Sequence, residues 1–313
     1  MTRVARTWVA IAAVFVLTAA FGGPQPGPLS GPHPGWPAGA LAKAGPLSVP
    51  GQSAPPGRII SLVPAVTEML FAIGAGEAVA GVSTYDRFPP EVASRPRVGA
   101  LVDPDFERML SLRPDLVIVY GTQDDLIARL ERARVPVFRY VHAALADIPQ
   151  TILRLGERVG RTAEARAVVD RIARDLDAVR TTAASRATRP RVALIFDREP
   201  GTLRGMYASG GVGFLHDLLE VAGATNVFAD VKRQSLQLST ELLLARQPEV
   251  IVEIFPEANW NDARAERERS VWSALSALPA VRTGRIHLIA DDRIAVPGPR
   301  VAESARLLAQ VLR

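Results

Sequence analysis

The 313-residue chain contains no cysteine and only four histidines. The absence of cysteine excludes disulfides, thiolate metal sites, a cysteine nucleophile and lipidation at a cysteine. A site for a free zinc or manganese ion would need several histidines together with a carboxylate. The histidines show no ligand spacing on a helix, so no metal site is predicted. His142 is the one candidate for an axial ligand to a metal that arrives in a chelate.

The chain also lacks the sequence signatures of common enzymes. The segment 207–211 (YASGG) lacks the first glycine of the nucleophile-elbow motif G-x-S-x-G. The segment 74–79 (GAGEAV) lacks the third glycine of the dinucleotide fingerprint, and no phosphate-binding G-x-x-x-x-G-K-[ST] occurs. We therefore predict a protein with no catalytic residues and no cofactor. An exported enzyme remains the less favoured alternative.

Positive charge is present, but it is spread along the chain. The formal net charge is +5, and only Lys43 and Lys232 are lysines, so almost all of the positive charge is arginine. A basic protein can bind nucleic acid. Here acidic and basic residues are mixed, as in the segment 266–269 (ERER), and no arginine block is interleaved with aromatic residues. This pattern favours solvated helix faces and no nucleic-acid partner.

Long apolar runs are scarce outside the N-terminus. Arg3 and Arg6 precede an apolar run at positions 8–21, which is typical of a secretory signal. A membrane-spanning helix needs about 20 apolar residues, and this run of 14 is shorter. We predict a signal peptide over residues 1–23, a disordered tether rich in proline and glycine over 24–57, and export of the rest.

The remaining sequence alternates short apolar runs with amphipathic segments. This alternation predicts two α/β lobes, each a doubly wound and mainly parallel sheet, over residues 58–161 and 189–313. Between them, apolar residues recur at three- and four-residue steps after Thr162, and Pro190 bars continuation. The pattern predicts one long helix over residues 162–188 that connects the lobes.

Several short runs occur in an order that resembles a known family. The runs are 58–68 (RIISLVPAVTE), 81–85 (GVSTY), 98–99 (VG), 106–107 (FE), 222–228 (AGATNVF), 239–241 (STE) and 297–300 (PGPR). With these runs the chain is similar to the class III periplasmic binding proteins, in which one rigid helix joins two lobes and which serve cobalamin, heme and iron–siderophore importers. It most resembles the cobalamin-binding members.

The resemblance implies a monomeric substrate-binding subunit of an ABC importer in the periplasm. It would capture a metal chelate in a cleft between the lobes and deliver it to a permease that works with an ATPase. Glu107 and Glu241 match the family's two rim glutamates, which dock into arginine pockets of the permease. A carboxylate can accept two hydrogen bonds from one arginine, which gives both strength and geometry.

The resemblance and the positions of loops after strands together predict the ligand residues. Leu101 and Ser235 stand where cobalamin-binding members place tryptophan, so cobalamin, heme and ferric siderophores all remain candidates. Aromatic residues would stack on a flat chelate, and arginines would pair with its carboxylate or phosphate groups. The predicted ligand-binding residues are Tyr85, Leu101, Tyr120, Arg198, Arg204, Tyr207 and Trp260.

Overall fold

The computed structural model describes residues 54–255 and 260–313. The predicted signal segment 1–23 and the predicted tether, apart from residues 54–57, lie outside this range. The chain divides into two compact units. The N-terminal lobe contains residues 54–142 and Ala146–Arg174, and the C-terminal lobe contains Ala143–Leu145 and the described residues of Asp175–Arg313.

The N-terminal lobe is built on a four-stranded sheet in the order β2-β1-β3-β4, with every neighbouring pair parallel. Strands and helices alternate along the chain, as βαβ connections require. The elements are β1 (Ile59–Ser61), α1 (Pro64–Ala72), β2 (Val79–Val82), α2 (Phe106–Ser111), β3 (Leu116–Tyr120), α3 (Asp124–Arg132), β4 (Val137–Tyr140) and α4 (Asp147–Arg158).

Burial in this lobe follows the apolar runs of the sequence. Every residue of β1 is buried, and β3 is buried from Leu116 to Val119. Helix α3 turns Leu126, Ile127 and Leu130 towards the core, and its first turn carries the acidic residues that the helix dipole favours there. Two buried central strands explain why the sequence reads as continuous rather than alternating hydrophobicity.

The long helix α5 (Thr162–Ala184) begins at the predicted residue. Its residues up to Arg174 belong to the N-terminal lobe, and those from Asp175 belong to the C-terminal lobe. It ends four residues before the predicted end. The apolar residues that predicted it are buried: Ala165, Val168, Val169, Ile172, Leu176 and Val179.

The C-terminal lobe is built on a sheet in the order β10-β9-β5-β6-β8, with β7 paired to β5. Its main buried cluster lies around β5, β9 and Trp272. The elements are β5 (Arg191–Asp197), β6 (Met206–Ser209), α6 (Phe214–Val221), β7 (Thr225–Asn226), β8 (Ser235–Leu238), α7 (Thr240–Arg246), β9 (Val250–Ile254), α8 (Asp262–Ser270), α9 (Pro279–Arg282), β10 (Ile286–Ile289) and α10 (Val301–Val311).

The two-lobed α/β architecture agrees with the prediction, but the C-terminal sheet is mixed. Strand β6 runs antiparallel to β5, and β8 runs antiparallel to β6. Tyr207, which was predicted to lie in a loop after a strand, lies instead on strand β6. In the described ranges, no helix is long and apolar enough to cross a membrane.

Candidate functional site

The carboxyl ends of the four parallel strands meet at one edge of the N-terminal sheet. Tyr85 follows β2, and Tyr120 is the last residue of β3. Ligands of open α/β sheets bind outside the carboxyl ends of the strands. We call the surface formed by Tyr85, Leu101 and Tyr120 the N-terminal face.

A glutamine links two of the predicted residues. The Gln123 side chain accepts a hydrogen bond from the Tyr120 amide at 3.0 Å and donates one to the Leu101 carbonyl at 3.0 Å. Gly99 makes the turn before Leu101 with a φ of 84°, and a Cβ there would lie 2.2 Å from the Asp103 carbonyl oxygen. The turn therefore requires glycine. Tyr120 and Leu101 are thus held together by groups that the sequence analysis did not identify.

A row of aromatic rings continues from Tyr120 along the same edge. The rings of Tyr120 and Tyr140 meet edge to face with centroids 6.0 Å apart, and Tyr140 stacks on His142 at 6.1 Å. Burial raises the pKa of both tyrosines, so their hydroxyl groups keep their protons at neutral pH. Burial lowers the pKa of His142 to about 4, so its imidazole is neutral.

Exposed aliphatic and aromatic side chains occur in loops of the same lobe. The described part of the chain exposes few large apolar residues, and three of them lie beyond strands of the N-terminal sheet. Phe88 is 38% exposed, Val102 is 62% exposed and Val141 is 73% exposed. Exposed apolar groups concentrated at one edge are typical of a binding surface. The N-terminal face can therefore receive a large apolar or aromatic molecule.

A buried carboxyl group lies behind Tyr85. Asp86 is 2% exposed, and its Oδ2 accepts a hydrogen bond from the Ser83 amide at 2.7 Å. Arg97 donates to the carbonyls of Ser83 and Asp86 at 2.9 and 2.8 Å, and the Ser83 hydroxyl accepts from the Tyr85 amide at 3.2 Å. This tight turn fixes the backbone that presents Tyr85.

Burial raises the pKa of Asp86 to about 7, against hydrogen bonds from Thr67 and Ser83 and the charge of Arg97, which lower it. Among the residues that the structure describes, Asp86 Oδ1 is one of a few buried polar atoms without a hydrogen-bond partner. A carboxyl group with one unbonded oxygen gains less stabilisation of its charged form. Asp86 therefore changes charge near neutral pH.

In the C-terminal lobe, Arg198 lies in the loop after β5, as the sequence analysis expected. Its guanidinium, however, forms hydrogen bonds and ion pairs with other residues of the same lobe. Only 1% of its side chain is exposed. It forms a bidentate pair with Glu253, in which Nη2 reaches Oε2 at 3.2 Å, and Nη1 lies 2.8 Å from Glu268 Oε2. This geometry argues against direct contact between Arg198 and a ligand.

Two further groups complete this buried set. Trp272 donates its indole N–H to Glu253 Oε2 at 3.1 Å, and Glu268 Oε2 accepts from the Gly201 amide at 3.0 Å. Burial raises the pKa of Glu253, while Arg198 and Trp272 act against that rise. We call Arg198, Glu253, Glu268 and Trp272 the Arg198 network.

The other predicted residues of this lobe are more accessible. The Arg204 side chain is 77% exposed and lies 3.1 Å from Glu199 Oε2. Tyr207 is half-buried on β6, with its ring centroid 6.5 Å from that of Phe196. Trp260 packs on Phe255 at 4.5 Å. Ser235, where the resemblance expects tryptophan, is buried in β8.

Both predicted docking glutamates are exposed in the first turn of a short helix. Glu107 lies in α2, whose N-cap Asp105 accepts from the Arg108 amide. Glu241 lies in α7, whose N-cap Ser239 accepts from the Leu242 amide at 3.2 Å. Hydrogen bonds from its own amide, Ser239 and Thr240 lower the pKa of Glu241. Each carboxylate is therefore available to a partner.

The sequence analysis missed residues whose role depends on burial. It assigned the segment 266–269 to a solvated face, yet Glu268 is 4% exposed. Asp86 stood next to Tyr85 without any signal that its carboxyl group is buried. The only sign in the sequence was that the charged residue Asp86 directly follows the predicted ligand residue Tyr85.

A family model described as periplasmic binding protein matches residues 59–292. The chain belongs to the periplasmic binding protein family. It is 28% identical over 260 residues to an uncharacterised ABC transporter substrate-binding lipoprotein of Bacillus subtilis, which covers 82% of this chain and 79% of the relative. It is 30% identical over 258 residues to a cobalamin-binding protein of Halobacterium salinarum, covering 79% of this chain and 67% of that protein.

Solved structures share the fold of this periplasmic binding protein. A periplasmic heme-binding protein of Roseiflexus superposes with a TM-score of 0.70 and 25% identity, over 83% of this chain and 98% of that one. These matches confirm the fold class and the prediction of a transport protein that binds a solute rather than an enzyme.

Proposed function

We propose that this chain captures a metal chelate, with a corrinoid as the first candidate, and delivers it to the permease of an ABC importer. Relatives named as cobalamin-binding and as an ABC transporter substrate-binding protein align over about four fifths of the chain and support this proposal. The cleft between the lobes that the resemblance implies stays a prediction.

The observation that carries the ligand class is the N-terminal face. The aromatic rings of Tyr85 and Tyr120 lie at strand ends, and the two acidic groups buried in this region, Asp86 and Glu68, are only 2% and 4% exposed. Such a surface suits a large, flat and weakly charged ligand, because aromatic rings contribute wide contact area at low entropic cost. Leu101 adds an aliphatic wall.

In the C-terminal lobe we propose contacts from Arg204, Tyr207 and Trp260. Tyr207 and Trp260 supply ring surface, and Arg204 offers a guanidinium to an anionic group of the chelate. Arg198 is not among the proposed contacts, because each of its guanidinium nitrogens bonds within the lobe.

A heme is the second candidate. The stacked pair Tyr140–His142 ends the aromatic row of the N-terminal lobe, and a neutral imidazole is a suitable iron ligand. A heme-binding protein of the same fold supports this alternative.

An absorbance titration tests the ligand class. The protein is incubated separately with cobalamin, heme and a ferric siderophore, desalted, and its spectrum recorded. Retained cobalamin bands would support the first candidate, and heme bands shifted by iron coordination would support the second. If the protein retains none of the three chromophores, the proposed ligand class is wrong, and membership of the family is unaffected.

We also propose that Glu107 and Glu241 dock this protein on its permease. Both carboxylates are exposed on separate lobes, where arginines of a partner can reach them. Replacing either with alanine should reduce uptake in a reconstituted importer and leave chelate affinity unchanged. Glu131 is an exposed helix glutamate that already pairs with Arg139, so Glu131→Ala is the matched control. Normal uptake by both docking variants would refute this role.

The finer features of the transport role are also proposals. We propose that the protein acts as a monomer, that the permease works with an ATPase subunit, and that the protein is exported to the periplasm without a lipid anchor on cysteine. The sequence contains no cysteine, although the B. subtilis relative is named a lipoprotein.

A further inference from the structure

The Arg198 network is too extensive to be an incidental ion pair. Arg198 Nη1 also donates to the Thr202 carbonyl at 2.9 Å, and Nη2 donates to the Glu268 carbonyl at 3.1 Å. One guanidinium therefore bonds strand β9, helix α8 and the loop that follows β5. Buried charges persist when their partners and hydrogen bonds are all supplied, and here the protein supplies them.

The network fixes the loop that carries Arg204. Glu268 accepts a hydrogen bond from the Gly201 amide, and Arg198 donates one to the Thr202 carbonyl. Buried side chains of the network therefore hold both central residues of the loop. The loop closes with a hydrogen bond of 3.0 Å from the Glu199 amide to the Arg204 carbonyl. Loss of the guanidinium would remove the contact with Thr202 and would leave Glu268, which holds Gly201, without its cation.

The same network reaches Trp260 through an aromatic contact. The Arg198 guanidinium lies 5.7 Å from the centroid of Phe255, and the Phe255 and Trp260 rings are 4.5 Å apart. The residue that follows Trp260, Asn261, is the N-cap of helix α8, and this helix carries Glu268. Trp260 is thus held in two ways. Its ring packs on Phe255, which contacts Arg198, and it precedes helix α8, which Arg198 binds through Glu268.

We propose that Arg198 is a positioning residue for ligand binding: it sets the Arg204 loop and Trp260 in place and does not itself touch the ligand. The inference rests on the proposed function for its ligand, but the positioning itself is a property of the ligand-free protein. It assigns a role in binding to Glu253, Glu268 and Trp272, which lie beneath the surface.

Fluorine NMR of the full chain labelled with 5-fluorotryptophan tests the positioning, with cobalamin affinity measured on the same samples. The chain has four tryptophans, and the Trp260→Phe variant assigns the resonance of Trp260. In Arg198→Lys, which keeps the charge but loses the planar fork, we expect the Trp260 resonance to move or broaden. Cobalamin affinity should fall about tenfold, equivalent to roughly 1.4 kcal/mol.

Arg246→Lys is the matched control. Arg246 also pairs with one carboxylate, Asp230 at 2.8 Å, and lies 5.7 Å from the Phe228 ring, but its side chain is 30% exposed. It bonds neither the Arg204 loop nor helix α8 in the contacts that the structure describes. Its Trp260 resonance and cobalamin affinity should match those of the original protein.

If Arg198→Lys does not fold, Trp272→Phe takes its place, because it removes one donor to Glu253 and leaves the ion pairs intact. It should shift the Trp260 resonance and weaken cobalamin binding by a smaller factor. A folded variant with an unchanged Trp260 resonance and unchanged affinity would overturn the positioning role. If the original protein binds no cobalamin, the proposed ligand is at fault, and the ligand-free resonance still decides the role of Arg198.

Discussion

The N-terminal and C-terminal lobes hold their candidate ligand residues by different physical means. Behind Tyr85 lies the carboxyl group of Asp86, which accepts a hydrogen bond from a backbone amide, and Arg97 donates hydrogen bonds to two carbonyl oxygens. Behind the Arg204 loop lie two carboxylates that share one buried guanidinium. The first arrangement depends mostly on main-chain hydrogen bonds, and the second depends on paired charges.

This difference matters because the two kinds of support fail differently. A lost hydrogen bond to a carbonyl leaves a neutral group unsatisfied, whereas a lost arginine leaves carboxylates buried without compensation. We therefore expect the C-terminal lobe to be more sensitive to substitution, and the N-terminal lobe to be more sensitive to pH near neutrality.

The largest expected effect is that of Arg198→Met on stability. The substitution leaves Glu253 and Glu268 buried without their shared cation, so the free energy of unfolding should fall by about 3–5 kcal/mol. Arg97→Met in the other lobe leaves two carbonyl groups without their hydrogen-bond donor, and it should lower the free energy of unfolding by about 1–3 kcal/mol. Urea titrations of both variants measure the two losses. Equal losses would remove the contrast between the lobes.

The overall fold could be predicted from the sequence because the spacing of apolar residues indicates which side of each helix or strand is buried. Helix α5 begins at the predicted Thr162, and one of the short apolar runs, LVIVY, forms β3 (Leu116–Tyr120). Strands β6 and β8 were missed because each has four residues beside glycine- or charge-rich turns. Helix α8 has the sequence DARAERERS, which has no apolar face, so the predicted solvated helix gave no sign that Glu268 is buried.

The candidate site was less predictable because single side chains acquire their roles from distant partners. Arg198 bonds Glu253 across 55 positions of the chain, and nothing local distinguishes it from the exposed Arg204. Glu268 resembles its solvated neighbours in every local respect. Whether the permease uses Glu107 and Glu241 stays a prediction, since exposure permits docking without proving it.

The second expected effect is a dependence of stability on pH, which arises from Asp86 in the N-terminal lobe. The pKa of Asp86 is about 7 in the folded protein, above its ordinary value of 3.8. Between these values the folded state retains a proton that the unfolded state has lost. Stability is therefore highest below pH 4 for this group and falls by roughly 4 kcal/mol as pH rises to 7.

Asp86→Asn should flatten this slope, because a neutral amide keeps an oxygen for the Ser83 amide and carries no charge. The groups that act on Asp86 are Thr67, Glu68, Arg97 and Tyr120, and the variant leaves all of them in place. Asp197→Asn in the C-terminal lobe is the comparison, since the pKa of Asp197 is about 6 and its window closes earlier. Thermal unfolding from pH 4 to 8 measures both. An unchanged slope in Asp86→Asn would contradict the assignment.

A third, smaller effect compares aromatic contacts on the two faces. Tyr85→Ala should weaken cobalamin binding about tenfold, because it removes a ring from the apolar N-terminal face. Tyr207→Ala should weaken it only about threefold, since Tyr207 is half-buried on a strand beside Phe196. Tyr85→Phe is the control, and retains the ring. Equilibrium titration followed by absorbance checks all three. A larger loss in Tyr207→Ala would move the main contact to the C-terminal lobe.

The smallest effect is expected at Arg204, six residues from Arg198. Arg204→Ala should leave the free energy of unfolding unchanged within about 0.5 kcal/mol, because the pair with Glu199 is exposed to solvent. If Arg204 contacts an anionic group of the ligand, affinity should fall about threefold at low salt, and this loss should shrink as salt screens the charge. Titrations at two salt concentrations measure it. A salt-independent loss would mean that Arg204 acts through the shape of its loop, as Arg198 does, and the division between contact and support in this lobe would then disappear.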